Sequence, residues 1–288
     1  MAKIALYSFK ERRRIYLFLK TLINGYNARI FYVGAFSLKI LRFLLILSPL
    51  FLQACHYNEE IKASKLAELT KRKAARDYNI LLGMGYLKQG DNPRAKFKLV
   101  SALNLDPSSA EANSALAYFY EKTAETETAA NYYAKALSLA PKSGAQLNNY
   151  GAFLCRSGKY KEALSYFLKA VKDLTYLNTA AVYENAGLCA KEIPDDKKAE
   201  VFFAKALNQD PRRDVSLYEL VMLKLKHGQY ELALNDLEKH SQLTYASKNL
   251  LNLGLIAAAQ STRYDIESKY KIYLNRLNSG VKNEYQRG

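Results

Sequence analysis

Apolar and small residues recur along residues 76–211 with a period of about 34 residues. Each period predicts two antiparallel helices, because its small residues let the helices approach closely while its large residues fill the space between them. Gly90, Gly158 and Gly228 occupy one equivalent position and predict the turn inside each hairpin, since glycine accepts the positive φ that ends a helix. The first copy of the pattern consists of Leu82, Gly83, Tyr86, Ala95, Leu99, Ala102 and Pro107.

A helical hairpin of this length and pattern is typical of tetratricopeptide repeats. The sequence therefore predicts an all-α fold, a right-handed superhelical solenoid of about six tetratricopeptide hairpins in residues 75–278. The fifth and sixth copies fit the pattern less well, as the terminal units of a solenoid usually do. The expected repeats are about 76–109, 110–143, 144–179, 180–213, 214–246 and 247–278, followed by a tail at 279–288.

One step of the repeat is longer than the others. Gly151 and Gly187 are 36 residues apart instead of 34. We expect the two extra residues to lengthen either the second helix of the third repeat or the loop that leaves it. Asp173–Thr179 should then be a local irregularity in the superhelix.

A different pattern precedes the repeats. Basic residues at Lys39 and Arg42 are followed by an apolar run of about 10 residues and then by Leu52-Gln53-Ala54-Cys55. This order is typical of a bacterial lipoprotein signal, and the run is shorter than the roughly 20 residues that span a bilayer. We expect a leader at 1–54, lipidation of Cys55, and a lipid-anchored linker or N-terminal helix at 55–74. An ordinary buried thiol and an uncleaved anchor are the alternatives.

The leader also affects localisation and charge. His56, instead of an aspartate, follows Cys55 and favours sorting to the outer membrane, facing the periplasm. Residues 1–38 exceed the usual length of a signal peptide, so we expect them to be either untranslated or removed with it. The formal net charge is +16, and residues 1–54 contribute half of it. The remaining basic residues are interspersed with acidic ones, so no nucleic-acid partner is indicated.

Two cysteines remain if Cys55 is lipidated, and both fall late in the first helices of neighbouring repeats. They are Cys155 and Cys189. Adjacent helices pack about 8–10 Å apart, which permits the Cα separation of a disulfide, and disulfides persist in exported compartments. We predict a bridge between the two; the alternative is a pair of buried thiols that never meet.

Two segments contain residues that the tetratricopeptide pattern alone does not require. They are Asn148-Asn149-Tyr150-Gly151-Ala152-Phe153-Leu154-Cys155 and Tyr183-Glu184-Asn185-Ala186-Gly187-Leu188-Cys189-Ala190. Through them, the chain resembles the type IV pilus biogenesis and stability lipoproteins, the PilF/PilW pilotins, from about residue 75 to about residue 275. The resemblance implies a non-enzymatic outer-membrane lipoprotein that binds secretin subunits and promotes their localisation and multimerisation. Alternatives are a periplasmic lipoprotein that scaffolds outer-membrane protein assembly or cell-wall enzymes, and a cytosolic co-chaperone.

The partner would lie in the groove of the solenoid. In tetratricopeptide grooves the second, fifth, ninth and twelfth residues of each first helix face inward. An apolar strand or helix would dock on the apolar floor of the first repeat, unless an N-terminal helix at residues 61–76 covers it. The predicted groove residues are Ile80, Met84, Leu87, Ser114, Tyr118, Glu121, Asn148, Ala152, Glu184 and Leu188.

Signals for catalysis are missing from the sequence. His56, His227 and His240 lie far apart, and none has a metal-ligand spacing with cysteine. Neither a nucleophile elbow nor a glycine-rich phosphate loop occurs. We therefore expect no enzymatic activity, no metal and no cofactor. Polar residues near the end of the solenoid, such as Lys282, favour a monomer.

Overall fold

The computed structural model describes the backbone of residues 36–279 and the side chains of residues 62–279. Helices alone form the regular structure of this part of the chain. We number them in chain order as α1 (Phe36–Lys88), α2 (Asn92–Leu105), α3 (Ala110–Lys122), α4 (Thr126–Leu139), α5 (Gly144–Arg156), α6 (Tyr160–Ala170), α7 (Thr179–Lys191), α8 (Asp196–Gln209), α9 (Asp214–Lys226), α10 (Tyr230–Lys239), α11 (Ser241–Ala246), α12 (Lys248–Gln260) and α13 (Tyr264–Asn278).

The chain divides into two compact units after Thr70. In the second unit the helices pack as antiparallel hairpins. The first consists of the end of α1 and α2, where a Cβ added to Gly83 would lie 2.6 Å from Leu99 Cγ. The next are α3 with α4, α5 with α6, α7 with α8, α9 with α10, and α12 with α13. The hairpins stack, because α5 also packs against α3 and α7, and α9 packs against α7 and α12. The all-α tetratricopeptide fold predicted from the period is confirmed. Because α1 is continuous, residues 61–76 do not form a separate helix.

Close approach within the hairpins depends on pairs of small and large residues. A Cβ atom added to Gly187 would lie 2.6 Å from Phe203 Cε1, and one added to Gly254 would lie 2.2 Å from Tyr270 Cε2. Phe203 and Tyr270 are fully buried. The glycines therefore let the first helix of each hairpin rest on an aromatic ring of the second helix, which explains the alternation of small and large residues in the sequence.

The turns inside the hairpins use a left-handed backbone residue. Gly90, Gly158 and Gly228 have φ values of 79°, 77° and 69°, as the sequence predicts. Two further turns place residues other than glycine in the same region, with φ of 63° at Ala124 and 56° at Thr262. These two turns show that the hairpin imposes the conformation even where the side chain disfavours it.

The longer step of the repeat lies in a loop. Linkers of four residues, such as 106–109 and 140–143, join the other early hairpins, whereas eight residues, 171–178, join α6 to α7. Helix α6 has 11 residues and is shorter than α4 or α8, which have 14. Of the two expected explanations, lengthening of the second helix is wrong, and lengthening of the exit loop is right.

A disulfide links the third and fourth hairpins. Cys155 near the end of α5 is bonded to Cys189 near the end of α7, and their Cα atoms are 5.8 Å apart. This is the pairing that the repeat positions predict. The bond joins first helices of neighbouring hairpins, so it fixes their spacing along the groove.

Within the described residues, no helix has an apolar stretch long enough to cross a bilayer.

Candidate functional site

A cavity of about 510 Å³ opens between the first helices of the first four hairpins. Six of the ten predicted groove residues line it: Ile80, Met84, Ser114, Tyr118, Asn148 and Ala152. They come from α1, α3 and α5, because stacking of the hairpins brings equivalent positions of successive first helices side by side. The structure thus gathers the fifth and ninth residues of the first three repeats in one concave surface.

One end of this surface is apolar. Met84 and Tyr118 also line a second cavity of about 640 Å³, together with Leu87, which was predicted, and Leu81, which was not. Leu81 is 69% exposed. The first two repeats therefore have an apolar patch, bordered by Lys88 and Lys122, of the kind that marks interaction sites.

The other end of the surface carries side-chain amides. Asn149 Nδ2 donates a hydrogen bond of 3.0 Å to Ser114 Oγ, and Asn185 Nδ2 donates one of 3.0 Å to Asn148 Oδ1. In both cases the sixth residue of a repeat bonds to the fifth residue of the preceding repeat. Asn149 and Asn185 line the cavity but were not among the predicted residues. Their place in the two specific sequence segments was the signal that could have identified them.

A polar atom in this region has its hydrogen-bonding capacity unused. Gln146 lines the same cavity and is only 4% exposed, yet its Oε1 has no hydrogen-bond partner within residues 62–279. Buried acceptors normally have a partner in the protein or in bound water. An N–H group of a bound polypeptide is chemically suited to this position.

Two predicted acidic residues are engaged within the protein. Glu121 accepts hydrogen bonds from Tyr133 at 2.9 Å and from Arg156 at 2.9 Å. Burial, together with the Glu121 carboxylate, raises the pKa of Tyr133 far above its ordinary value, so the phenol stays protonated and acts as a donor. These bonds fix the rim of the groove and leave little of the carboxylate for a ligand.

Glu184 is engaged in a similar way. It accepts from Arg213 Nη1 at 3.0 Å and from Ser216 Oγ at 2.8 Å, which ties α7 to the start of α9. Leu188 is partly exposed on α7 and lines neither cavity. Of the predicted residues, Glu121, Glu184 and Leu188 therefore line neither cavity.

The predicted lipidation residue lies outside the described side chains. Cys55 falls within the part of α1 that precedes the described side chains. Among the described residues, no group of three or more His, Cys, Asp and Glu side chains has an arrangement that could hold a metal ion. The groove presents apolar side chains and neutral amides, with Glu111 and Arg156 as charged residues in its lining.

Comparison with known proteins supports this assignment of the fold. A tetratricopeptide repeat profile matches residues 110–143. The type IV pilus assembly protein PilF of Pseudomonas aeruginosa is 34% identical over 215 residues, which are 75% of this chain and 85% of that protein.

Two solved structures are similar as well. A structure of Pseudomonas aeruginosa PilF has a TM-score of 0.61 and 33% identity, covering 73% of this chain and 95% of that chain. The crystal structure of PilW, a widely conserved type IV pilus biogenesis factor, has a TM-score of 0.58 and 27% identity, covering 73% and 96%.

Proposed function

Because this chain belongs to the PilF/PilW family of type IV pilus assembly proteins, which are not enzymes, we propose that it is a pilotin. In this role it is an outer-membrane lipoprotein, anchored through Cys55 and facing the periplasm. It binds secretin subunits in the groove of the first helices and promotes their localisation to the outer membrane and their multimerisation. The tetratricopeptide solenoid supplies a preformed surface, so little ordering is needed when the partner binds.

The observation that carries this proposal is the two-part groove. Its apolar end, around Ile80, Met84 and Tyr118, suits the apolar side chains of a partner segment. Its amide end, with Asn149 and Asn185, suits the main chain of that segment, because side-chain amides both donate and accept hydrogen bonds. A polypeptide in extended conformation has both kinds of group along its length.

The groove is tested by introducing a charge at its apolar end. Met84→Glu places a carboxylate that the partner would have to desolvate, so capture of the secretin should fall at least about tenfold. The measurement is recovery of secretin with the tagged full-length protein from detergent-solubilised outer membranes.

The matched control is Met222→Glu. Met222 is an exposed methionine on α9 that lines neither groove cavity. Secretin capture should remain normal in this variant. Equal capture by both variants would contradict a groove-based mechanism, while equal loss would point to general damage to the fold.

Membrane anchoring is tested separately with Cys55→Ser. This variant should keep secretin binding in detergent but lose multimers from the outer membrane, since acyl chains are required for membrane affinity and not for the groove. Recovery of outer-membrane insertion proteins or cell-wall enzymes in place of a secretin would favour the scaffold function instead.

A further inference from the structure

The loop between α6 and α7 presents two leucines to solvent. Leu174 is 95% exposed and Leu177 is 94% exposed, more than any other large apolar side chain within residues 62–279. Neither lines a groove cavity. The loop thus exposes apolar side chains outside the two groove cavities.

Hydrogen bonds and packing against neighbouring helices hold the loop that carries these leucines. Asp173 Oδ2 accepts a 2.7 Å hydrogen bond from the backbone N–H of Gly144, at the start of α5, and Asp173 Oδ1 accepts from the N–H and hydroxyl of Thr175. Tyr176 packs over Gly144 so closely that a Cβ there would lie 2.7 Å from its ring. Asn178 Oδ1 accepts from Arg213 Nη2 at 3.0 Å. The leucines therefore project from an anchored turn.

Basic residues also occur in the linkers on the same edge of the solenoid as the loop. Since the first helices run parallel to one another, the linkers that lead into α5, α7 and α9 lie on the same edge. These linkers contain four basic residues and two acidic ones: Lys142, Lys172, Arg212, Arg213, Asp173 and Asp210.

Both acidic residues are already satisfied within the protein. Asp173 binds backbone N–H groups, and Asp210 is paired with Arg212 and Arg213. Lys142 and Lys172 are exposed, and the side chain of Arg212 is 88% exposed. Among the described residues, this edge consequently presents Lys142 and Lys172 as unpaired cations and Arg212 as the exposed member of an ion pair with Asp210.

We propose that the 171–178 loop is a membrane-contact site, which inserts Leu174 and Leu177 among the acyl chains of an anionic phospholipid surface. Lys142, Lys172 and Arg212 lie on the phosphate headgroups. A protein partner would need a pocket for two protruding leucines, whereas a bilayer adapts to them, and apolar residues flanked by cations are the combination that anionic membranes bind. The site is additional to an acyl anchor and does not depend on it.

The chain contains no tryptophan, so one introduced residue can report on the loop alone. Full-length Leu174→Trp and Leu177→Trp proteins are mixed with vesicles of phosphatidylglycerol and phosphatidylcholine with brominated acyl chains, which quench tryptophan on contact. The matched control is Leu232→Trp, since Leu232 is 50% exposed on α10, outside the linkers. Any leader or anchor brings all three variants to the same vesicles.

We expect a blue shift and quenching by at least about half at positions 174 and 177, and neither at position 232. Adding Lys172→Glu and Arg212→Glu to Leu174→Trp should weaken the quenching on vesicles that contain phosphatidylglycerol. Emission at positions 174 and 177 that stays unquenched, or equal quenching at position 232, would overturn the proposal. A blue shift that appears only when purified secretin is added would overturn it too and identify a protein partner instead.

Discussion

The side-chain amide of Asn185 on α7 donates a 3.0 Å hydrogen bond to Asn148 Oδ1 on α5. Both side chains line the groove, and Asn148 is buried. The bond has an equivalent one repeat earlier, between Asn149 and Ser114. Two successive steps of the solenoid are therefore joined by polar contacts in the wall of the proposed binding surface.

Removing the amide of Asn185 should destabilise the contact between α5 and α7. Asn185→Ala leaves Asn148 Oδ1 buried without its partner, and we expect the free energy of unfolding to fall by about 1–2 kcal/mol. Urea denaturation followed by circular dichroism measures the change. Asn252→Ala on α12 is the control, because Asn252 is exposed, and its unfolding should change little. Equal values for the two variants would show that the bond adds nothing to stability.

Two helical glycines should respond in opposite ways to substitution by alanine, because only one of them is in close contact with a neighbouring side chain. In Gly254→Ala the new methyl group would lie 2.2 Å from the fully buried ring of Tyr270, so we expect destabilisation by about 1–3 kcal/mol.

Gly85→Ala is the matched substitution. No atom lies within 4 Å of the added Cβ, and Gly85 is inside α1, so we expect stabilisation by about 0.5–1 kcal/mol. Thermal unfolding of the two variants gives the sign of each effect. A loss of stability in both would mean that helix packing around Gly85 is tighter than the structure indicates.

The turn at Ala124 offers a stabilising substitution. Its φ of 63° is costly for a residue with a Cβ, so Ala124→Gly should raise the free energy of unfolding by up to about 1 kcal/mol. Ala134→Gly, at an exposed position inside α4, should lower it by up to about 1 kcal/mol. Measuring both by denaturation separates the effect of the turn from that of glycine itself. An unstable Ala124→Gly protein would contradict the strained turn.

Acid should remove the contribution of Asp173. Hydrogen bonds from the Gly144 N–H and from Thr175 hold the pKa of this carboxyl below its usual value of 3.8. A carboxyl with a lowered folded pKa stabilises the fold above the unfolded pKa, and the stabilisation disappears as pH falls through the folded pKa.

Asp173→Asn should therefore lower the melting temperature at pH 7, and the difference from the unmodified protein should shrink as the pH falls below 3.8 and through the lowered folded pKa. Both proteins lose stability in acid, because the pKa of Asp106 and that of Asp210 are lowered as well. The measurement is a melting temperature at each pH. A difference that stays constant from pH 7 to pH 2 would mean that the charge of Asp173 has no role.

Periodicity determined what could be predicted. Each repeat buries the same face, so the small residue at Gly187 and the large one at Phe203 follow from the pattern alone. The same holds for Ile80 and Met84, whose inward positions are fixed by the repeat number. The burial and orientation of positions that every repeat shares can therefore be predicted from a single sequence.

Features that differ between repeats could not be predicted in this way. The left-handed turn at Ala124 has no glycine to mark it, and the turn exists because the hairpin contacts on either side impose it. The pairing of Glu184 with Arg213 depends on which residues two neighbouring helices bring together, so a residue expected to bind a partner instead joins α7 to α9. Whether a side chain in the groove is free to bind a partner therefore depends on which residues the neighbouring helices place next to it.

The Cys155–Cys189 disulfide links two hairpins in the middle of the solenoid covalently. In a stack where each hairpin contacts mainly its neighbours, opening begins at the ends and advances one hairpin at a time. A covalent link between the third and fourth hairpins stops that advance from either side. The apolar end of the groove, in the first two hairpins, lies on the side of the link that can still open. Fraying of that end would expose the apolar floor, while the linked third and fourth hairpins keep their spacing.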